Sequence, residues 1–180
     1  MKQTISVDLV DPIEVHGIET RCITMRFPRV GDELAILDLA ESDEMTEAKI
    51  FAELCNIPYK EFLEISRRDL MGLQEAYVEL TIREPQEFGM TDNAKSIEID
   101  LIDPIEVNGI KTQKLTMRFP KFRDELAVRE FSGSDAAREV LLFSNLCDIS
   151  VNDMRQVSKR DYGEIQSAYR ALAQKKISAS

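Results

Sequence analysis

The sequence predicts an α+β fold written twice: two tandem copies of a small module, each a bulged β-hairpin followed by three to four α-helices. Three observations predict it. The chain matches itself at an offset of 92 residues. Thr4 to Leu80 aligns with Ser96 to Leu172 without a gap, and 34 of the 77 positions are identical. Self-similarity at a fixed offset marks a repeated structural unit. Each copy also opens on apolar residues at every second position and continues with apolar residues at helical spacing, so the period switches from strand to helix. Finally, the strand-like stretches are joined by His16-Gly17 or Asn108-Gly109. Asn-Gly is a strong hairpin signal because both central residues need positive φ.

Ile5, Val7 and Leu9 alternate, as do Ile23, Met25 and Phe27; the second copy repeats this with Ile97, Ile99, Leu101 and Leu115, Met117, Phe119. His16 stands where the second copy has Asn108, and histidine tolerates positive φ better than most residues. It reads as a turn residue before a ligand. Register tests the hairpin. With Val15 opposite Ile18, an unbroken ladder sets Leu9 against Thr24, and the apolar faces conflict. A bulge of one extra residue would set Leu9 against Ile23, Val7 against Met25 and Ile5 against Phe27. Asp11-Pro12, repeated as Asp103-Pro104, is its expected place, since proline cannot donate to a ladder.

Beyond Pro28 and Pro120 a helix is expected over 30–40 and over 122–131. Val30, Leu34 and Leu37, or Phe122, Leu126 and Phe131, would form its buried side. Asp32-Glu33 and Asp124-Glu125 fall in its first turn, where carboxylates favour the helix N-terminus. Ser42-Asp43 and Ser134-Asp135 cap the next helix. Its core stripe is Ala48, Phe51, Ala52 and Cys55, repeated as Val140, Phe143, Ser144 and Cys147. A short helical turn follows, with Pro58 at its first position and Phe62 and Ile65, or Met154 and Val157, facing inward. Ser66-Arg67-Arg68-Asp69 and Ser158-Lys159-Arg160-Asp161 start the last helix in capping-box fashion. Leu70, Leu73, Tyr77 and Leu80, or Tyr162, Ile165, Tyr169 and Leu172, make its stripe, with the shared tyrosine's hydroxyl expected near the rim. The expected domains are a first module at 1–80, a linker at 81–95 and a second module at 96–180, whose last residues are expected to fray.

Composition narrows the function. The net charge of −10 argues against nucleic acid as a direct ligand. Residues 1–80 hold 8 basic and 17 acidic residues, a charge of −9, whereas residues 96–180 balance 13 against 13. No apolar run approaches the roughly 18 residues of a membrane span, and the first repeat begins too early to leave room for a signal peptide. Cys22, Cys55 and Cys147 are an odd set, and the repeated pair sits on helical stripes, so they read as thiols in a reducing compartment. There is no phosphate loop, Cys-x-x-Cys, paired-histidine motif or nucleophile elbow. The expectation is a non-enzymatic protein with no cofactor and no metal. Arg26 and Arg118 stand out as exposed, repeated residues without an evident structural task.

Several stretches carry a family resemblance. They are Asp103-Pro104-Ile105-Glu106-Val107-Asn108-Gly109-Ile110, the run Leu115 to Ala127, the Phe143 to Ile149 stretch and the Arg160 to Tyr169 stretch. Together they resemble the tail assembly chaperones of Mu-like bacteriophages and prophages. The second copy matches better than the first, and the family's members are single modules, doubled here. The resemblance implies a non-enzymatic chaperone that binds the tape measure protein and keeps it soluble while tail tube protein polymerises around it. It implies a host cytoplasmic location and absence from the mature virion. On this reading Arg26, Arg118, Phe122, Arg123, Tyr162 and Tyr169 are candidate partner-binding residues, self-association is a further expectation, and no membrane is involved. The rival reading is an acidic DNA mimic that inhibits a host nucleic-acid enzyme. The near-neutral second copy argues against it. The charge difference also predicts that the copies are not interchangeable, with the main client contacts on residues 96–180.

Overall fold

The computed structural model describes residues 3–37, 42–88 and 95–173. The fold is α+β, with two compact units, Met1–Ile82 and Arg83–Ser180. The first contains β1 (Thr4–Val15), β2 (Ile18–Arg26), α1 (Val30–Leu37), α2 (Asp43–Cys55), α3 (Tyr59–Phe62) and α4 (Arg67–Thr81). The second repeats the order as β3 (Ser96–Val107), β4 (Ile110–Arg118), α5 (Phe122–Arg129), α6 (Asp135–Cys147), α7 (Val151–Arg155) and α8 (Lys159–Ala173). Within the stretch expected to join the copies, residues 89–94 lie outside the described residues. So do Ala40 and the tail from 174 onward, which carry the expected end of the first helix and the expected fraying.

Each sheet is a two-stranded antiparallel hairpin. The turns behave as their residue types require: His16 and Asn108 take φ of 53° and 51°, and the glycines after them take 79° and 78°. Two strands alone are marginal in water. Each hairpin therefore lays one face on helices. In the first unit Leu9, Ile23 and Met25 pack with Phe51, Leu54, Leu73 and Leu80. In the second, Ile99, Met117, Phe143, Met154, Ile165 and Leu172 are all less than 3% exposed.

The strand interruption falls where Asp-Pro places it, but it is larger than one residue. Val15 pairs with Ile18 and Ile13 with Thr20. Pairing then resumes at Asp8 with Cys22, so Val7 faces Ile23 and Ile5 faces Met25. Three extra residues, not one, sit on the first strand, and the second hairpin repeats the shift between Asp100 and Ile105. An odd number keeps the apolar faces matched, so parity held while the size did not. The physical reason is an acceptor outside the sheet. Asp69, near the start of α4, takes the N–H groups of Val10 and Asp11 at 2.8 and 3.2 Å. Asp161 takes those of Ile102 and Asp103 at 3.0 Å each. With these donors satisfied by a carboxylate, the chain can leave the ladder for four residues at little cost.

The first helix of the second module presents a different side from the one its apolar spacing predicts. Phe122, Leu126 and Phe131 are 69, 43 and 43% exposed, and α5 buries Asp124 and Val128 instead. In the first module Val30 is buried as expected, and Leu34 is half-buried. Smaller departures follow from caps. Pro58 is the N-cap of α3, not its first helical residue. Asn56 and Asp148 close α2 and α6 in the left-handed conformation, which asparagine and aspartate adopt more readily than most residues. The helix starts at Ser42, Ser66, Ser134 and Ser158 hold: each hydroxyl accepts a backbone N–H from its own first turn, at 3.2–3.3 Å.

Candidate partner-binding surface

Arg26 and Arg118 are the last residues of β2 and β4. Each reaches the first turn of the following helix. Arg26 Nη1 and Nη2 donate to Asp32 at 2.7 and 3.0 Å, and Arg118 does the same to Asp124 at 2.7 and 2.9 Å. The same carboxylates accept the N–H of Arg29 and Lys121 at 2.8 Å. One aspartate thus caps the helix and ties it to the strand. Bidentate guanidinium–carboxylate pairs fix orientation as well as distance. The first module makes the same tie with Val30 only 4% exposed, so the tie does not by itself set which residues face outward; in the second module Asp124, and Val128 one turn on, are buried. Phe122 and Leu126, also one turn apart, are left on the outward side. The Arg118 guanidinium, assisted by the Lys121 N–H, holds the Asp124 carboxyl down at about 2 against the opposing effect of burial.

That low value gives a testable pH dependence. A carboxyl depressed in the folded state stabilises fully above its unfolded value of about 3.9 and loses the contribution as pH falls through the folded value. For Asp124 the window runs from about pH 4 down to about pH 2. Asp124→Asn is therefore expected to lower the melting temperature at pH 6, with the gap to the parent chain closing as pH approaches 2. Melting curves at both pH values check this, and a gap independent of pH would refute it.

The outward side of α5 is apolar and basic. Phe122 and Leu126 share one helix face, Phe119 precedes the helix at 49% exposed, and Phe131 follows it. Lys121, Arg123 and Arg129 are exposed around them. Phe131 lies over Gly133: a Cβ there would come within 2.6 Å of its ring. A side chain at that position would push the exposed ring aside. Among the described residues the first module does not repeat the exposed Phe122 and Arg123. Its aligned positions hold Val30, buried, for Phe122 and Gly31 for Arg123.

The two candidate tyrosines lie inward of this face. Tyr162 is 5% exposed, its hydroxyl donates to Glu139 at 2.9 Å, and its ring lies 5.7 Å from that of Phe143. Tyr169 is half-buried, 5.4 Å from the same ring. Burial, with Glu125 and Glu139 nearby, raises its phenol. Tyr77, its counterpart, donates to Glu33 at 2.8 Å. Gln74 and Gln166 donate to Glu47 and Glu139 at 3.0 and 2.8 Å, tying the last helix of each module to the second. The cysteines are free thiols. Burial pushes Cys55 and Cys147 up to about 12, where they do not ionise at neutral pH. Among the described residues no group of three or more His, Cys, Asp or Glu side chains could hold a metal ion, and no helix is long and apolar enough to cross a membrane.

What repeats between the modules is therefore structural: caps, ion-pair ties and core. What differs is surface. That combination defines a duplicated module of the α+β class. The family described as phage tail assembly chaperone proteins, E, or 41 or 14, matches the chain twice, over residues 6–82 and 98–174. The chain belongs to that family, as a tandem duplication of its module. No curated protein and no solved structure matches it.

Proposed function

We propose that the chain binds the tape measure protein and keeps it soluble while tail tube protein assembles around it. It would act in the cytoplasm of the infected or lysogenic cell and be absent from the finished virion. The observation that carries this reading is the exposed apolar and basic surface of α5 in a chain of this family. A long helical client needs its apolar stripe covered before assembly, and an exposed apolar face on a rigid scaffold can cover it. Phe122 and Arg123 would touch the client, with Tyr169 at the margin. Arg26, Arg118 and Tyr162 would contribute by holding the helices in place. Two modules on one chain would add avidity for an extended client.

Co-expression tests the proposal. The tape measure protein of the same phage is expected to shift from the insoluble to the soluble fraction when this chain is present, and to co-purify with it. Unchanged solubility with no complex would end the reading.

A further inference from the structure

In the second unit the outer edge of β3 is covered by a segment that is not itself a strand. Glu98 and Asp100 face Thr116 and Lys114 across the hairpin, and their backbone groups turn the other way, toward Gln86. The Gln86 amide donates to the Glu98 carbonyl at 3.0 Å and accepts the Asp100 N–H at 3.0 Å. Three residues earlier, Arg83 donates to Asp161 at 2.6 Å and to the Asp100 carbonyl at 3.1 Å. The Gln86 N–H donates to Glu164 at 2.9 Å. An arginine and a glutamine three residues apart therefore read one strand edge and two buried carboxylates, Asp161 and Glu164.

The first unit builds the same edge. Its hairpin has the same register, Ser6 facing Thr24 and Asp8 facing Cys22, so the Ser6 carbonyl and the Asp8 N–H and carbonyl point outward too. Asp69 stands in the place of Asp161, held by the Val10 and Asp11 N–H groups and the Ser66 hydroxyl. Among the described residues, no side chain hydrogen-bonds to the backbone of Ser6 or Asp8, and no cation is ion-paired with Asp69. The local charge is more negative than in the second unit. Lys114, which pairs with Glu98 and Asp100 at 3.3 Å, is replaced by Cys22. Gly72 replaces Glu164, so an incoming arginine here would meet Asp69 and the Asp8 carbonyl alone.

We propose that this edge of the first module binds an extended segment of another protein, bearing an arginine and, three residues on, a glutamine or asparagine. The amide pairs with the Ser6 carbonyl and the Asp8 N–H on the exposed edge, and the arginine takes the Asp8 carbonyl and the small open edge of Asp69, which is 3% exposed. This is strand addition performed by a side chain. A second copy of this chain is the poorer occupant. Its own Arg83 and Gln86 are engaged, and a net charge of −10 opposes self-association. The site goes beyond the tape measure reading, since it holds for any client segment of that chemistry and can fail without it.

The test titrates the full-length, isotope-labelled chain with a synthetic peptide of the sequence Ile82 to Phe88, followed by amide chemical shifts. The expected shifts fall at Ser6 to Asp11 and at Asp69. The Arg83→Ala peptide is expected to bind at least about tenfold more weakly, since it loses a hydrogen-bonded charge. Cys22→Lys recreates the pairing of Asp100 with Lys114 at an exposed strand position. It is expected to weaken the peptide several-fold without changing the melting temperature. Shifts confined to residues 96–103, no shifts in the first unit at millimolar peptide, or equal binding of the Arg83→Ala peptide would each overturn the proposal. A change in oligomeric state on Cys22→Lys would also overturn it, by assigning the edge to a second copy.

Discussion

Asp161→Ala is expected to destabilise the second module by about 3–5 kcal/mol, the range for removing one partner of a buried ion pair. Asp161 is fully buried. Its carboxylate accepts from the Ile102 and Asp103 N–H groups, the Ser158 hydroxyl and Arg83. Deleting it leaves two backbone donors of the bulge without a partner, opens the α8 cap and leaves a guanidinium that is only 10% exposed with the more distant Glu164, at 3.8 Å, as its remaining carboxylate. Arg160 adds to the cost, because its buried pair with Asp103, at 2.6 Å on both oxygens, depends on the bulge keeping its shape.

The same change at Asp69 is expected to cost less, about 1–3 kcal/mol, because only neutral donors are left unpaired. Burial pushes the Asp69 carboxyl up. The Val10 N–H, the Ser66 hydroxyl and the Asp11 N–H outweigh it and hold the group below its ordinary value. Among the described residues no arginine is ion-paired with Asp69, and Arg68 and Asp11, the counterparts of Arg160 and Asp103, are both exposed. Hydrogen exchange in mild denaturant, read separately on β1–α4 and β3–α8 peptides, measures both losses in the intact chain. Equal losses at the two sites, or less than about 1 kcal/mol at Asp161, would show that the carboxylate is not what holds the bulge.

These two aspartates also show where sequence reasoning stopped. The hairpin, its turn, the place of its interruption and its parity were legible, because each depends on residues near one another in the chain. The size of the interruption was not. It depends on an acceptor 58–59 residues away, and a serine three residues before an aspartate explains itself fully as a cap. The α5 face failed for a related reason. Phe122 and Leu126 have the spacing of a buried stripe, and the aligned Val30 is buried in the first module, so the local pattern does not distinguish the two helices. The sequence marks Arg118 as an exposed residue rather than as the partner of a helix cap. Its signal was present: arginine and aspartate recur six residues apart in both copies, as Arg26 with Asp32 and Arg118 with Asp124.

Phe122→Ser with Leu126→Ser is expected to abolish solubilisation of the client while leaving the fold intact. The exposed positions lose no core contact, so the melting temperature should move little. Burying a phenylalanine or leucine side chain against a partner stabilises a complex by about 1.5–3 kcal/mol each. Losing both weakens binding by about a hundredfold or more, in keeping with the dominance of a few aromatic anchors at interfaces. The aligned change in the first module has a different outcome. Val30 is 4% exposed, so Val30→Ser should lower stability and leave client binding to the second module. Arg123→Glu should weaken the client less than the apolar double change, and its effect should fade at high salt, because it acts through a solvent-exposed charge. Pull-down of the tape measure protein by each full-length variant, at low and high salt, separates these cases. If the Phe122, Leu126 double variant retains the client, or if Val30→Ser alone releases it, the binding face lies elsewhere than on α5.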